Sequence, residues 1–462
     1  MQTQAPANSL TEKIGIVEKL AYGCGDLSSN LVLVLTGTYI TFFYTDALGL
    51  NVAIVGTLIM ISRLFDGVTD VIMGYVMDKT KSKHGKARAW MLWLAVPFGV
   101  CTAAMMMVPN IGETGKYVYV FISYNIITTF LYTGINIPYG ALNSLMTRDQ
   151  EQRASINAYR MTMAMIGSLI ISACTLPLVN AVGGTNNQKA WIIVSCIYGA
   201  AATLLFLFCF AKTKERVNIV SDEDRKISFG KTLKLLLKND VWLMLCAVWV
   251  VYVIGMAMSG GVGVYYAKYV LHNENLFGFI SVAQTGVSII CIPLMMPFVK
   301  KYGKRKVAVT GGIIGFVGAS LVVINPTNAV WLVACNMIRG IASAASMATL
   351  NAMVADSIEY GQWKTGIRIE GTLYSATTFG AKIGGGLGMA VGSVILGAAG
   401  YVGTLAVQSE AAMKAMFGLY VFAPIAFAAF VPIIYYFYKL DKIYPQVMAD
   451  LAAREKEKAQ NA

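Results

Sequence analysis

The sequence predicts an all-α polytopic membrane protein in which twelve transmembrane helices form two six-helix bundles. Hydrophobic residues make up 56% of the 462 residues and charged residues only 13%, whereas about 25% of the residues in soluble domains are charged. The mean hydropathy is +0.61, and the apolar residues fall into runs that reach the ~20 residues of a membrane-spanning helix. We expect spans at 18–47, 52–77, 89–109, 117–146, 155–182, 190–211, 241–268, 275–299, 306–325, 329–355, 370–399 and 412–438.

The basic residues of the chain predict its orientation in the membrane. Lysine and arginine concentrate in the second, sixth and eighth connections and are nearly absent from the odd-numbered ones. By the positive-inside rule, the even-numbered connections and both termini face the cytoplasm. The formal net charge of +13 is therefore a signal of topology and not of nucleic-acid binding. We expect a monomer in a bacterial-type inner (plasma) membrane, surrounded by the lipid bilayer.

A long polar connection divides the spans six and six. It predicts an N-terminal bundle at 1–211, a cytoplasmic linker at 212–240, a C-terminal bundle at 241–440 and a cytoplasmic tail at 441–462. The second connection ends in Gly85-Lys86-Ala87-Arg88, and its counterpart in the other half reads Gly303-Lys304-Arg305-Lys306. This arrangement is typical of two-bundle transporters, whose sites lie near the bilayer midplane.

The first span carries a polar pair one helical turn apart, Asp26 and Asn30, with Tyr22 one turn earlier. Polar residues inside a span are costly and mostly face protein or a water-filled cavity. We therefore expect Asp26 and Asn30 to line a substrate cavity. A position near the cytoplasmic interface, where Asp26 would serve topology or packing, is the alternative.

Three charged residues of the second span, Arg63, Asp66 and Asp70, share one helical face because their spacing is +3 and +4. Two carboxylates in a low-dielectric site repel each other, and one becomes protonated unless a cation lies between them. Carboxylate oxygens suit hard cations such as Na⁺, and the same pair can carry a proton. Thr69 could add an oxygen. A structural ion pair with Arg63 is the alternative, although one arginine cannot neutralise two carboxylates.

The fourth span places Tyr132, Thr133 and Asn136 just before Pro138. Proline lacks an N–H group and leaves a carbonyl oxygen of its helix without its usual donor. These residues are candidates for the substrate cavity or the cation site. A packing cluster with all hydrogen bonds satisfied is the alternative.

Two lone cations lie in apolar surroundings, Arg160 in the fifth span and Lys382 in the eleventh. Each requires an anion, which could come from Asp66 and Asp70, from Asp26 or from a substrate carboxylate. Charge pairing without a substrate role is the alternative. Arg339 in the tenth span lies similarly deep, and the sequence gives it no specific role.

Charged residues also gather at the predicted cytoplasmic ends of the helices. Ion pairs between helix ends are the plain expectation, and such pairs could hold a cytoplasmic gate shut. The gate candidates are Asp78, Arg88, Asp356, Glu359, Arg368 and Glu370.

Several runs resemble known families. The stretch from Gly74 to Arg88 resembles, with an insertion, the loop signature of the major facilitator superfamily. Further runs, in collinear order from about residue 10 to 445, resemble the glycoside–pentoside–hexuronide:cation symporters, the family of the melibiose carrier. These runs are Tyr22-Gly-Cys-Gly-Asp26, Phe43-Tyr44-Thr45-Asp46, Arg63-x-x-Asp66-x-x-x-Asp70, Asn136-Ile-Pro138-Tyr139, Asp356-Ser-Ile-Glu-Tyr360-Gly361 and Gly366-Ile-Arg368-Ile-Glu370-Gly371.

The resemblance implies a major facilitator fold and the import of glycosides by alternating access, driven by a gradient of Na⁺, Li⁺ or H⁺. It assigns the coupling cation to Asp66 and Asp70, which would be the metal ligands if the cation is Na⁺. It adds Thr133 as a helper and Arg63 as a charge partner. The positions that match the sugar site, or its link to the cation site, are Arg160, Thr378 and Lys382.

Four positions depart from the melibiose carrier. Asn30 and Asn136 stand where that carrier has sugar-binding aspartates, and Gly140 stands where it has the aromatic residue that stacks on galactose. These departures disfavour an α-galactoside. A more positive cavity suits an anionic sugar such as a glucuronide, whereas the asparagines equally suit a neutral β-glycoside or xyloside. Thr69 replaces an asparagine that helps to hold Na⁺, so Na⁺ and H⁺ both stay open.

The sequence thus predicts a cation-coupled sugar symporter that is not an enzyme and needs no cofactor besides its coupling cation, Na⁺ or H⁺. Both histidines lie in connections, and the spans offer no nucleophile–base pair. A lysolipid-type symporter of the same fold is the alternative. Such a cavity would need a broad apolar lining, which Asn30, Asn136, Arg160 and Lys382 disfavour.

Overall fold

A computed structural model describes residues 14–147, 149–216, 236–367 and 371–460. Within these residues the chain forms helices and no β-strand, which confirms the all-α class. Each predicted span coincides with one helix. The helices are α1 (Ile16–Ala47), α2 (Val52–Lys79), α3 (Arg88–Ala104), α4 (Glu113–Met146), α5 (Gln150–Val182), α6 (Gln188–Lys212), α7 (Asp240–Tyr269), α8 (Asn275–Tyr302), α9 (Lys304–Ile324), α10 (Ala329–Thr365), α11 (Gly371–Ala398), α12 (Glu410–Tyr436) and, after the spans, α13 (Leu440–Gln460).

Ten helices of the described chain are long and apolar enough to cross a membrane. The remaining two predicted spans are α2, which carries the charged stripe, and α3, a shorter apolar helix of 17 residues. The chain is therefore a multi-pass membrane protein.

The contacts of the chain form two compact units. The first contains Met1–Val220, Gly260–Val282 and Met389–Met416, and the second contains Ser221–Ser259, Ala283–Gly388 and Phe417–Ala462. The first unit thus combines α1–α6 with one end each of α7, α8, α11 and α12. The predicted boundaries at 211, 240 and 440 stay predictions, and residues 217–235 of the predicted linker lie outside the described residues.

Small residues allow close helix packing in the first unit. A Cβ atom at Gly99 of α3 would lie 2.4 Å from the backbone oxygen of Gly199 in α6, so these two helices touch through their backbones. A Cβ at Gly167 of α5 would lie 2.9 Å from the backbone oxygen of Leu27 in α1. Because lipid tails are as apolar as the side chains, such close packing replaces the hydrophobic effect as the force that joins membrane helices.

Both units contain the same type of turn before a helix. Gly85 and Gly303 have φ angles of +95° and +85°, in the left-handed region that favours glycine. After Gly85, the Glu215 carboxylate accepts hydrogen bonds of 2.8–3.1 Å from the backbone N–H groups of the two residues before α3 and of Arg88, its first residue. After Gly303, the Asp441 carboxylate accepts one of 2.8 Å from the Arg305 N–H. Each carboxylate satisfies donors that a helix start leaves open.

The arginine of each turn is held in the same way. The Arg88 guanidinium donates to the Phe210 backbone oxygen at 2.7 Å and lies 4.8 Å from the centre of the Phe210 ring. The Arg305 guanidinium donates to the Tyr436 backbone oxygen and lies 5.2 Å from the centre of the Tyr436 ring. Arg88, a predicted gate residue, therefore joins the start of α3 to the end of α6.

Candidate functional site

The carboxylates of α2 meet hydroxyl groups of α4 in the first unit. The Thr129 hydroxyl donates to Asp66 Oδ1 at 2.6 Å, and the Thr133 hydroxyl donates to Asp70 Oδ1 at 2.9 Å. Each partner in the second pair lies four residues after its counterpart in the first, so the pairs stack as two rungs, one helical turn apart. We call them the Asp66 rung and the Asp70 rung. The two rungs therefore contain three residues predicted for the cation site, Asp66, Asp70 and Thr133.

Thr129 is a site residue that the sequence analysis missed. It lies in a π-helical stretch, Ile126–Tyr132, which widens α4 just before Thr133. Widened turns of this kind are frequent at functional sites. The available signal was spacing, since Thr129 precedes Thr133 by the same four residues that separate Asp66 from Asp70. The π-helical stretch itself has no signature in the sequence.

Arg63 takes the predicted place of a charge partner. Its guanidinium Nη1 lies 3.3 Å from Asp66 Oδ2, and the Asp66 side chain is only 2% exposed. Thr69, by contrast, is not brought to either carboxylate side chain. Its hydroxyl donates to the backbone oxygens of Phe65 and Asp66 in its own helix, at 3.3 and 3.1 Å. The cation role of Thr69 stays a prediction.

A second charged pair joins α1 to α5. Arg160 Nε donates to Asp26 Oδ2 at 2.9 Å, so Asp26 is the anion that Arg160 requires. Arg160 also lies 5.2 Å from the centre of the Tyr139 ring. The Asn30 amide donates to the Asp26 backbone oxygen at 2.8 Å, and the Ser168 hydroxyl donates to Asn30 Oδ1 at 3.4 Å. The polar face of α1 therefore contacts α5.

Tyr132 of α4 lies close to both charged groups. It lies within electrostatic range of Asp26 and Arg160 on one side and of Arg63 and Asp70 on the other.

Asn136 and Gly140 follow Tyr132 on the same face of α4, at steps of one turn. Tyr132 and Asn136 are half-buried, and a Cβ atom at Gly140 would meet nothing within 4 Å. This face of α4 is therefore a polar wall beside open space.

Two further predicted sugar-site residues are on α11. Lys382 lies on α11 in the second unit, and the side chain of Thr378 lies outside the described residues. Their roles stay predictions. Arg339, on α10 of the second unit, donates to Asn336 Oδ1 at 3.0 Å.

The predicted cytoplasmic gate is described only in part. Asp356 of α10 forms an ion pair with Lys304 at the start of α9, and Glu359 follows it on α10. The Asp78 side chain, Arg368 and Glu370 lie outside the described residues. The gate role of these residues stays a prediction.

A further cluster of the first unit surrounds Asp46, at the end of α1 that the charge pattern predicts to be extracellular. The Asp46 side chain is 0% exposed and lies 2.6 Å from the Lys268 ammonium. The hydroxyls of Tyr269, Tyr401 and Thr45 donate to its two oxygens at 2.9, 2.5 and 2.9 Å. We call these five residues the Asp46 cluster.

The sequence analysis quoted Asp46 as part of a motif but assigned it no role. Its main partners lie more than 220 residues away along the chain, and no local pattern points to them. Tyr401 lies between two spans, and its burial, together with the charge of Asp46, raises the pKa of its phenol. The phenol therefore stays protonated and remains a hydrogen-bond donor.

Comparisons with known proteins agree with this picture. A family model described as "MFS/sugar transport protein" matches residues 21–442. The isoprimeverose transporter of Lactiplantibacillus pentosus is 35% identical over 96% of this chain and 92% of that protein. The inner membrane symporter YicJ of Escherichia coli (strain K12) is 28% identical over 90% of this chain and 89% of its own length.

Solved structures show the same fold. The crystal structure of a bacterial homologue of the human lysosomal transporter Spinster matches with a TM-score of 0.65 at 12% identity, over 93% of this chain and 96% of that one. At this identity the match concerns the fold alone.

Proposed function

Because the chain belongs to the major facilitator sugar-transport family, which includes the glycoside–cation symporters, we propose that it imports a glycoside or pentoside together with Na⁺ or H⁺. It is a membrane transporter of sugars or glycosides and not an enzyme. The proposed location is a bacterial inner membrane with both termini in the cytoplasm, as the distribution of lysine and arginine predicts.

The observation that carries the coupling proposal is the pair of rungs. Four side-chain oxygens from α2 and α4 lie on two adjacent helical turns. Oxygen ligands of this type suit a hard cation, and a carboxylate pair can instead take up a proton. A threonine hydroxyl can donate to a free carboxylate and can turn its lone pair towards a bound cation. We therefore assign the coupling cation to Asp66, Asp70, Thr129 and Thr133.

The proposed sugar site lies beside the rungs. The Asp26–Arg160 pair offers both acceptors and donors to the hydroxyl groups of a sugar. Asn136 adds an amide, and the open space at Gly140 leaves room for a ring. Because Arg160 is already paired with Asp26, its charge is compensated without a substrate carboxylate. A neutral glycoside is therefore favoured over the anionic sugar that the sequence also allowed.

Coupling follows from shared neighbours. Tyr132 lies near both the rungs and the Asp26–Arg160 pair, so a cation bound at the rungs changes the electrostatic surroundings of the sugar site. By linkage, a cation that raises sugar affinity must itself bind more tightly when sugar is present. In the proposed cycle, the Asp46 cluster closes the extracellular end and must open when the transporter takes up substrate from outside.

Uptake into proteoliposomes tests the proposal. A panel of a neutral β-glycoside, a xyloside, a glucuronide and a lysolipid competitor is measured under imposed Na⁺ or pH gradients. We expect accumulation of a neutral glycoside driven by one of the two gradients. Preferred uptake of the glucuronide would reject the neutral substrate, and competition by lysolipid alone would reject a sugar substrate.

Two variants separate coupling from sugar binding. Asp66→Asn and Asp70→Asn should abolish accumulation against a gradient while sugar exchange at equal cation concentrations persists, because exchange needs no net cation movement. Accumulation that survives in both variants would contradict the cation site. Thr128→Val is the matched control, since the Thr128 hydroxyl donates only to a backbone oxygen of its own helix.

A further inference from the structure

A cavity of about 400 Å³ lies in the second unit between α8, α9 and α10. Its walls are mainly apolar, with Met295 and Phe298 from α8, Ile314 from α9, and Ile341 and Ala345 from α10. The volume falls within the ~300–1,000 Å³ of typical ligand pockets. We call this cavity the α8–α10 groove.

The groove exists because small residues join two of its walls. A Cβ atom at Gly311 of α9 would lie only 2.5 Å from the Cβ of Ala345 in α10, so these helices meet almost backbone to backbone. Neither residue has a side chain long enough to fill the space towards α8. On that helix Phe298 is 51% exposed, so the groove is open on the side of α8.

The end of the groove near the predicted cytoplasmic surface is polar and positively charged. Tyr302 and the exposed Lys306 line it, and Lys300 and Lys301 lie at the end of α8 beside them. The Lys301 ammonium lies 5.2 Å from the centre of the Tyr302 ring. An apolar channel with a basic mouth matches the acyl chain and phosphate of one lipid molecule.

The lysines at this mouth differ from their basic neighbours. Lys304 forms an ion pair with Asp356, and Arg305 donates to the Tyr436 backbone oxygen. Lys300, Lys301 and Lys306 form no ion pair with an acidic residue in the part of the chain that the structure describes. Their charge is therefore available to an anion at the membrane surface.

We propose that the α8–α10 groove binds one anionic phospholipid of the cytoplasmic leaflet, with an acyl chain between the helices and the phosphate at Lys306 and Tyr302. Basic pockets between helices at the cytoplasmic membrane surface bind anionic lipid headgroups. A second copy of this chain fits less well, because a two-fold contact on this face would bring the same lysines against each other. The lipid stays bound to the transporter and is not its substrate. The assignment to the cytoplasmic leaflet is the one part of this proposal that rests on the proposed membrane orientation.

Native mass spectrometry of the full-length protein tests the proposal. The purified transporter is titrated with phosphatidylglycerol and, separately, with zwitterionic phosphatidylethanolamine. We expect one phosphatidylglycerol molecule to bind more tightly than any phosphatidylethanolamine. Lys306→Gln should weaken that binding about fivefold, the factor that corresponds to ~1 kcal/mol per basic residue near the membrane surface.

Two pairs of variants keep the test specific. Lys442→Gln removes one exposed lysine outside the groove and should leave the binding unchanged. Thr310→Trp places an indole at an exposed groove position and should reduce occupancy at least fivefold. Ile313→Trp is its control, because Ile313 is 50% exposed on the same helix but does not line the groove.

Three results would overturn the proposal. They are equal binding of both lipids, equal effects of Lys306→Gln and Lys442→Gln, and equal effects of Thr310→Trp and Ile313→Trp. The measurement does not depend on transport, so a failure of the proposed symport would leave this result unaffected.

Discussion

Two carboxylate clusters of the first unit differ in their access to water and ligands. The Asp46 side chain is fully buried, and a lysine and three hydroxyls surround its oxygens. Of the two rungs, Asp66 is likewise buried, with Arg63 and Thr129 as partners, whereas Asp70 is half-buried. Buried charge costs free energy unless it is paired and hydrogen-bonded. A fully buried carboxylate whose partners come from the protein can act as a structural latch, whereas a half-buried carboxylate can exchange a ligand.

The largest effect should come from breaking the Asp46 cluster. Asp46→Asn leaves the Lys268 ammonium without its anion, and removal of one partner from a buried ion pair costs about 3–5 kcal/mol. We expect a large loss in the free energy of unfolding, measured by thermal and denaturant unfolding in detergent. The double variant Asp46→Asn/Lys268→Met should lose less than the sum of the single variants. Additive losses would mean that the two residues do not act as a pair.

The second prediction concerns the Asp66 rung. Thr129→Val removes a hydrogen bond to a charged acceptor, which contributes about 1.5–3 kcal/mol. We expect the free energy of unfolding to fall by about that amount, and the cation concentration for half-maximal glycoside uptake to rise about tenfold or more because one proposed cation ligand is lost. Thr128→Val, one residue earlier, is the control. If both variants behave alike, the rung is a packing contact.

The third prediction separates the role of the polar face of α4 in sugar binding from the role of the rungs in cation binding. Gly140→Leu places a side chain in open space, so the protein should fold normally while the KM for glycoside rises at least about tenfold. The cation dependence should stay unchanged. Gly418→Leu on α12 also meets open space and serves as the control. An unchanged KM in Gly140→Leu would remove this face of α4 from the sugar site.

The smallest effect should come from a single donor of the Asp46 cluster. Tyr401→Phe removes one of several donors to Asp46, so a loss of about 1 kcal/mol in the free energy of unfolding is expected. Because the pKa of Tyr401 is raised in the folded protein, its contribution is complete below the ordinary tyrosine pKa of about 10 and is lost only as the pH rises above that value.

The difference in the free energy of unfolding between Tyr401→Phe and the parent protein should therefore be constant between about pH 6 and pH 9. Tyr436→Phe, at a 63% exposed tyrosine, should have no effect on stability. If the stability lost in Tyr401→Phe varies with pH in this range, the Tyr401 phenol ionises there and is not a permanent donor to Asp46.

The spans and the charged stripe of α2 could be predicted because they depend on local chemistry. A long apolar run has to form a helix in lipid, since no water is present to satisfy its backbone. The spacing of Arg63, Asp66 and Asp70 then places them on one face. Helical repetition likewise indicated Asn30 beside Asp26. The four-residue step of Thr129 before Thr133 was equally visible and was overlooked.

The partners of these residues could not be predicted in the same way. Arg160 had three candidate anions, and the packing of α5 on α1 selected Asp26. The sequence allows Thr69 to add an oxygen to the carboxylate site, and in the structure its hydroxyl donates to the backbone of its own helix, as threonines in helices commonly do. The Asp46 cluster joins segments that are far apart in sequence, so only their packing in the first unit reveals it.

The sequence by itself determined the class of the protein, the course of its helices and the placement of two carboxylates on one face of α2, because hydrophobicity and helical periodicity act over a few residues. Only the tertiary structure decided which hydroxyl meets each carboxylate, which anion pairs with Arg160 and where open space adjoins a polar wall. Those outcomes depend on how whole helices pack, and a small shift between two helices changes every contact between them.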